Sequence, residues 1–132
     1  MKKAGKRILA AGVTLGIICG IGGAAFASDR VSTKINNCTA TGRSTISNNE
    51  ASAYTTYNGS GAASVTAKYE TKHVGTNVRK TQNRTKATYG TASVSFKTPS
   101  GHLSEWISST HTVNVSNQKW SGNTYAEFPY KK

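Results

Sequence analysis

The chain has 132 residues, and its 17 Lys and Arg outnumber its five Asp and Glu to give a formal net charge of +12. This length suits one domain rather than several, and two cysteines exclude a disulfide-rich scaffold. The positive charge favours anionic partners.

The N-terminus has the three parts of a secretory signal peptide. Four cations precede an apolar, glycine-rich run that ends in the triplet Ala25-Phe26-Ala27. An uncleaved membrane anchor is the alternative, because about 20 apolar residues can just cross a bilayer. The small-x-small triplet favours cleavage after Ala27, so residues 1–27 are predicted to be a signal peptide. The rest is predicted to be secreted, and either released or associated with the cell surface.

The composition after residue 27 favours a β domain with a thin core. Cys38 is the one cysteine left there, so packing alone must stabilise the processed chain. Only 13 residues are Val, Ile, Leu or Phe, a level at which disorder has to be considered. Against disorder stand ten aromatic residues and 17 Thr, because aromatic and β-branched side chains suit a pleated, half-buried surface.

The chain after the signal peptide divides into an arm and a domain. Residues 28–49 are dominated by Ser, Thr and Asn, and they predict a polar flexible arm or at most one weak edge strand. Residues 50–132 are predicted to be the β-sandwich domain. Within it, apolar and polar residues alternate from Val65 to His73, which is typical of a half-buried strand.

Gly90 interrupts the next alternating segment. The apolar positions are odd before it, as at Tyr89, and even after it, as at Val94 and Phe96. Such a shift indicates a bulge, a strand that changes sheets, or two short strands joined at Gly90.

Two more strands follow the turn signal TPSG. One alternates from Leu103 to Val115, and the last carries Ala126, Phe128 and Tyr130 on one side. No helical repeat of apolar residues follows residue 27. The sequence therefore predicts an all-β fold, a small antiparallel β-sandwich or open barrel of about six strands after an N-terminal signal helix.

The interval between Glu70 and Glu105 contains six cations and no acid. If residues 64–74 pair with residues 86–97, most of these cations lie at a hairpin tip, where they repel one another unless anionic material neutralises them. Trp106 is out of phase with Ile107 and is expected to face outward, where Trp can stack on sugar rings or sit at a lipid interface. The predicted anionic-surface-binding residues are Lys72, Arg79, Lys80, Arg84, Lys86 and Trp106.

Structural explanations compete with this interpretation. Exposed cations keep a domain soluble, although acids would do so equally well and the sequence uses few of them. Trp106 and Trp120 can also serve to cover the ends of a small core.

Signals for catalysis or metal binding are weak. His102 and Glu105 are three residues apart, but a zinc site needs three or four ligands. There is no nucleophile elbow, and the glycine-rich stretch NGSG precedes a strand rather than a helix. We therefore expect no enzymatic activity, no metal and no cofactor. Nucleic acid is not an expected partner, because no recognition motif is present.

The predicted function is that of a secreted cationic β protein that binds an anionic cell wall polymer or membrane surface. Its build, a Lys-rich signal peptide before a short basic β domain, is similar to that of small exported bacterial antimicrobials, so the role could be bacteriocin-like, or it could hold the protein on its producer's wall. The alternative is a protein-interaction or adhesion module that meets a protein partner through edge strands and Ser/Thr-rich faces. The sequence leaves the oligomeric state open.

Overall fold

The computed structural model describes residues 26–128, and every regular element in that range is a β-strand. Eight strands form two antiparallel four-stranded sheets, which confirms the predicted sandwich but exceeds the predicted six or so strands. Within the same range, no helix is long and apolar enough to cross a membrane. The strands are β1 (Phe26–Ile35), β2 (Cys38–Ser47), β3 (Glu50–Tyr57), β4 (Ala62–His73), β5 (Arg79–Tyr89), β6 (Thr91–Lys97), β7 (His102–Val115) and β8 (Gln118–Glu127).

Gly90 carries the chain from one sheet to the other. Sheet 1 has the order β1-β2-β3-β6 and sheet 2 the order β5-β4-β7-β8, so β5 and β6 are consecutive strands in different sheets. Gly90 has a φ of 88°, which L side chains rarely adopt, although a Cβ there would meet nothing. Backbone conformation therefore selects glycine here, and of the predicted alternatives the structure shows two strands joined at Gly90, each in a different sheet.

The prediction of a flexible arm for residues 28–49 is wrong. Nearly all of them belong to β1 and β2, which form a hairpin whose register pairs Ile35 with Cys38. Asn36 and Asn37 are the two turn residues, with φ of 53° and 66°. Two positive φ values are what a type I′ turn requires, and Asn tolerates them better than most residues.

The polar composition of this hairpin conceals a buried face. Ala40, Ser44 and Ile46 of β2 are completely buried, and the alternate residues Thr41, Arg43 and Thr45 lie on the other face. Small side chains are sufficient to fill the space beneath β2, because the opposite sheet approaches this strand closely. A strand of this kind lacks the large apolar residues on which sequence periodicity depends.

The predicted signal peptide lies outside the described residues except for Phe26 and Ala27, which begin β1. These two residues pair with Ser47 and Ile46 of β2, so the predicted cleavage point after Ala27 falls inside a strand. Cleavage there remains a prediction, and it would leave β1 to begin at Ser28.

Small side chains are numerous among the buried residues, and eight of them are Ala. Tyr69 and Phe96 are among the largest buried side chains, and their ring centroids are 5.2 Å apart. The predicted alternation along β4 is confirmed, because Val65, Ala67 and Tyr69 are buried while the residues between them are not. Burial of this apolar surface contributes roughly 25 cal/mol per Å².

A hydrogen-bonded polar cluster joins the two sheets inside this core. His111 Nδ1 lies 2.8 Å from Thr55 Oγ1, and His111 Nε2 lies 2.8 Å from Thr124 Oγ1. Ser44 Oγ lies 2.6 Å from Thr124 Oγ1 and 2.7 Å from Ser109 Oγ. All five side chains are buried, so each bond avoids the cost of an unpaired polar group. The three bonds made by Thr55 and Ser44 cross between the sheets and fix how one sheet sits on the other.

Gly42 gives the imidazole of His111 its space. A Cβ added at Gly42 would overlap three atoms of the ring. The ring cannot move aside without breaking its bonds to Thr55 and Thr124. Glycine is therefore required at this position by the close approach of the two sheets.

The same burial makes the stability of the fold depend on pH. Burial lowers the pKa of His111 to about 4, from an ordinary value of 6.5, and a backbone hydrogen bond with Tyr54 opposes the shift only weakly. Below pH 6.5 the unfolded chain therefore binds a proton on this imidazole that the folded chain does not bind until about pH 4. Acidification across this window favours unfolding by about 3 kcal/mol.

We expect His111→Gln to flatten the dependence of stability on pH. The wild-type free energy of unfolding, measured in urea, should fall between pH 7 and pH 4 by about 3 kcal/mol more than that of the variant. The variant should be less stable at pH 7, because glutamine cannot reproduce both imidazole bonds. Ser109→Ala, which removes a buried hydroxyl of the same cluster and no titratable group, is the control and should keep the wild-type slope. Equal slopes for wild type and His111→Gln would contradict the assignment.

Candidate functional site

The predicted basic loop is a strand. Residues 79–89 form β5, and the turn before it comprises residues 74–78, in which Asn77 has a φ of 64°. The hairpin-tip location predicted for these cations is therefore wrong. Residues 79–86 contain no apolar side chain and therefore suggest a loop, and every residue of β5 except the half-buried Gln82 is exposed.

β5 is the outermost strand of sheet 2, and its cations divide between the two faces of the sheet. The register places Lys86 opposite Val65 and Arg84 opposite Ala67. Directly opposed residues share a face of a sheet, so these cations project on the side where β4 forms the core. Lys80, which lies opposite Thr71 and four residues before Arg84, is on the same side. We call Lys80, Arg84 and Lys86 the β5 cation row.

Two contacts join β5 to sheet 1. The Arg84 guanidinium lies 5.5 Å from the ring centroid of Phe96 in β6, and Gln82 Nε2 donates to the Lys97 carbonyl at 3.1 Å. Phe96 is 2% exposed, so Arg84 covers an aromatic ring at the margin of the core while its charge stays in water. Arg84 therefore has a structural role as well as a charge.

None of the three side chains of the β5 cation row takes part in an ion pair within residues 26–128. Along a strand, alternate residues are about 6.6 Å apart, so Lys80 and Lys86 are separated by about 20 Å. The result is a linear, uncompensated array of positive charge on an exposed edge of the sandwich.

Arg79 and Lys72 have different surroundings on the outer face of sheet 2. Arg79 Nε lies 2.9 Å from Glu105 Oε1 and 3.0 Å from Glu70 Oε2. Lys72 Nζ lies 3.4 Å from Glu105 Oε2. Burial alone would raise the pKa of Glu105, but hydrogen bonds and attraction from Arg79 and Lys72 outweigh it and lower that pKa. Two cations and two carboxylates thus form a locally neutral cluster.

A β-bulge in β7 brings Glu105 into this cluster. The register with β4 pairs Glu70 with Trp106 but Thr71 with Ser104, so Glu105 is the extra residue. The bulge is not evident in the sequence, because the apolar residues from Leu103 to Val115 all occupy odd positions and suggest an unbroken strand.

Trp106 belongs to the outer face of sheet 2 and not to the β5 cation row. It is half-buried and stacks on Tyr125, with ring centroids 6.1 Å apart and planes tilted by 29°. Its cross-strand neighbours are Glu70 and Glu127. The pKa of Tyr125 is raised to about 12, first by burial and then by its hydrogen bond to Glu127. The prediction therefore combined two separate surfaces.

The histidines form no metal centre within residues 26–128, where no three His, Cys, Asp or Glu residues are grouped to hold an ion. His73 and His102 face each other edge to face with centroids 5.3 Å apart, and their Nδ1 atoms are hydrogen-bonded to the backbone after His73 and to Thr71 respectively. The buried cluster around His111 contains hydroxyls but no carboxylate.

Sequence reasoning missed the cations of the first hairpin because residues 28–49 were interpreted as an arm. Arg30 and Lys34 alternate with Val31 and Ile35, a period-two pattern that could have revealed the strand. Arg43 of β2 lies directly opposite Arg30 in the register.

Comparison with known proteins gives no relative: no family model, no curated protein and no solved structure matches this chain.

Neutralising Glu105 should cost stability only while that residue is ionised. We expect Glu105→Gln to lower the free energy of unfolding at pH 7 by about 1 kcal/mol, because Arg79 and Lys72 lose their shared carboxylate. The lowered pKa means that this contribution is present above the ordinary carboxyl range and is lost as pH falls through the folded-state value. Urea titrations at pH 7 and at progressively lower pH should therefore show a difference that shrinks in acid.

Glu50→Gln is the matched control for this experiment. Glu50 pairs with Lys97 at 3.7 Å with both side chains largely exposed, so its loss should have no measurable effect. A cost at Glu50 equal to that at Glu105 would contradict the assignment of the cluster around Arg79.

Proposed function

We propose that this protein is a secreted, non-enzymatic module that binds a linear anionic polymer of the cell envelope through the β5 cation row. The observation that carries the proposal is the line of Lys80, Arg84 and Lys86, which has no ion-pair partner in the described part of the chain and lies on a strand exposed on both faces. Several charges in a row suit a repeating anion better than a single small ligand.

The edge position supports this proposal. A polymer lying along β5 can contact successive cations without entering a pocket, because β5 has a strand on one side only. Attraction between clustered cations and an anionic surface extends over about 10 Å at moderate ionic strength. Each cation near such a surface is worth about 1 kcal/mol, so three would contribute about 3 kcal/mol.

Secretion underlies this proposal and rests on the N-terminal sequence pattern. An antagonistic, bacteriocin-like role and retention on the producing cell both use the same contact, and they differ in whose envelope is bound. In neither case is a chemical step required.

A second candidate function is strand addition to β5 by a protein partner. It is favoured by the same edge position, which leaves one side of the strand without a neighbouring strand and its backbone groups available. A partner segment that is extended and acidic would also be attracted to the β5 cation row. Binding of this kind depends on backbone hydrogen bonds, so it should be less sensitive to salt than contact with a polyanion.

Removing the β5 cation row should abolish most binding to phosphate-rich cell walls. We expect a variant with Lys80→Gln, Arg84→Gln and Lys86→Gln to bind about 100-fold more weakly in a sedimentation assay at low salt, because about 3 kcal/mol of attraction is lost. Wild-type binding should also weaken steeply as salt increases. Glutamine is chosen because its stem can still cover Phe96.

The matched control removes three exposed cations from other strands, as Lys34→Gln, Lys68→Gln and Lys119→Gln. This variant has the same net charge as the first and should bind walls far better. Equal loss in the two variants would mean that total charge, and not the β5 cation row, governs binding. Wild-type binding that resists high salt would favour strand addition instead.

A further inference from the structure

A second concentration of positive charge lies on the outer face of sheet 1. Arg30 of β1 and Arg43 of β2 are directly opposed in the antiparallel register. Gly42 approaches the buried His111, so Arg43, the next residue, points to the outer face. Directly opposed residues on one face have Cβ atoms about 5 Å apart, and like charges at that separation destabilise the sheet.

Arg43 is held in place but incompletely satisfied. Its side chain is half-buried, and its Nη2 donates to Ser28 Oγ at 3.3 Å. Its Nε is enclosed and has no hydrogen-bond partner in the described part of the chain. An enclosed guanidinium donor without an acceptor is costly, and a shift of the side chain toward an anionic oxygen on the outer face would relieve that cost.

No carboxylate of the described residues compensates the pair. Neither Arg30 nor Arg43 takes part in an ion pair within residues 26–128. Asp29 is adjacent in sequence, but its Oδ1 accepts the backbone N–H of Arg30 at 2.9 Å. Its Oδ2 accepts the backbone N–H of Tyr125 at 3.0 Å, so this carboxylate is engaged toward β8.

Hydroxyl groups flank the two arginines on the same face. The register places the pair Ser28 and Thr45 on one side of them and the pair Ser32 and Thr41 on the other. Tyr54 of β3 lies opposite Arg43 on its second side. Two guanidinium forks beside hydroxyl donors match a group with several anionic oxygens, and guanidinium binds phosphate through two parallel hydrogen bonds.

We propose that Arg30 and Arg43 form a phosphate-binding site that takes phosphodiester groups of a hydrophilic polymer. A polymer is favoured over a lipid surface because none of the large exposed hydrophobic side chains of the described residues lies in sheet 1. Entry into a bilayer interface needs such side chains. The site deepens the proposed function, on which it rests for the choice of a polymer, by adding a second contact on another face.

The test is an NMR titration of the full processed chain with inorganic phosphate, compared with sodium chloride at equal ionic strength. Phosphate should shift the Nε–Hε resonances of Arg30 and Arg43 along a saturating curve, and chloride should not. Arg43→Gln should weaken phosphate binding by about tenfold or more, which corresponds to one charge-assisted bidentate contact. Arg43→Lys keeps the charge but loses the fork, and it should also weaken binding.

Lys34→Gln is the control, because Lys34 is an exposed cation of β1 that the register places opposite Thr39 and not opposite another cation. It should change the affinity by no more than about threefold. Arg30→Gln provides a second test should Arg43→Gln lose the folded signature in circular dichroism. Equal shifts with phosphate and chloride, or equal weakening by Lys34→Gln and Arg43→Gln, would overturn the site.

Two further arms identify the source of the phosphate and separate this site from the β5 cation row. Arg43 should matter for binding soluble poly(glycerol phosphate), and an effect confined to phosphatidylglycerol vesicles would overturn the polymer assignment. The triple β5 variant should keep the phosphate shifts at Arg30 and Arg43, whereas their loss in that variant would overturn the independence of the site. Retained shifts together with undiminished wall binding by the triple variant would support this site and refute the proposed role of β5.

Discussion

The buried interior of sheet 2 ends between β4 and β5, and the placement of charge on this protein follows from that limit. Tyr69 and Ala67 of β4 are buried, whereas their partners on β5, Gln82 and Arg84, are half-buried and exposed. Long polar side chains can occupy this margin because their stems lie against the core while their ends reach water. Arg84 above Phe96 is the clearest case.

The two faces of sheet 2 therefore differ in how far their positive charges are neutralised. On its outer face, Glu70 and Glu105 neutralise Arg79 and Lys72, and the bulge in β7 is what makes the second carboxylate available. On its inner face, the β5 cation row has no such partners in the described residues. Inward-pointing charges also protect an edge strand from pairing with another copy. Acids would protect it equally, so edge protection does not explain why every charge in the row is positive.

The sequence predicted those parts of the fold in which large apolar residues alternate. β4 was correct residue by residue as far as the buried Thr71. At Gly90 the structure has two strands in different sheets, although Tyr89, one of the apolar residues before the shift, is 77% exposed. β2 was missed because most of its inward side chains are small or polar, and β5 was missed because almost nothing on it is buried. β1 was missed although Val31 and Ile35 alternate with its cations. Leu103, expected inside, is 45% exposed because the bulge reverses the alternation before Ile107.

The site was harder to predict than the fold, because whether a cation is neutralised depends on neighbours that are distant in sequence. Composition identified the basic segment, but only the register separates the compensated Arg79 from the uncompensated Arg84. In the same way, the alternation along β7 put His111 inside, while its bonds to Thr55 and Thr124 come from two other strands.

Backbone amide shifts of the processed protein, mapped residue by residue in the presence of a purified anionic wall polymer, would locate the contact surface. The largest changes should follow β5 from Lys80 to Lys86, with smaller changes around Arg30 and Arg43 and none on the Trp106 face of sheet 2. Changes centred on Trp106 and Tyr125, or spread evenly over all exposed cations, would contradict this prediction.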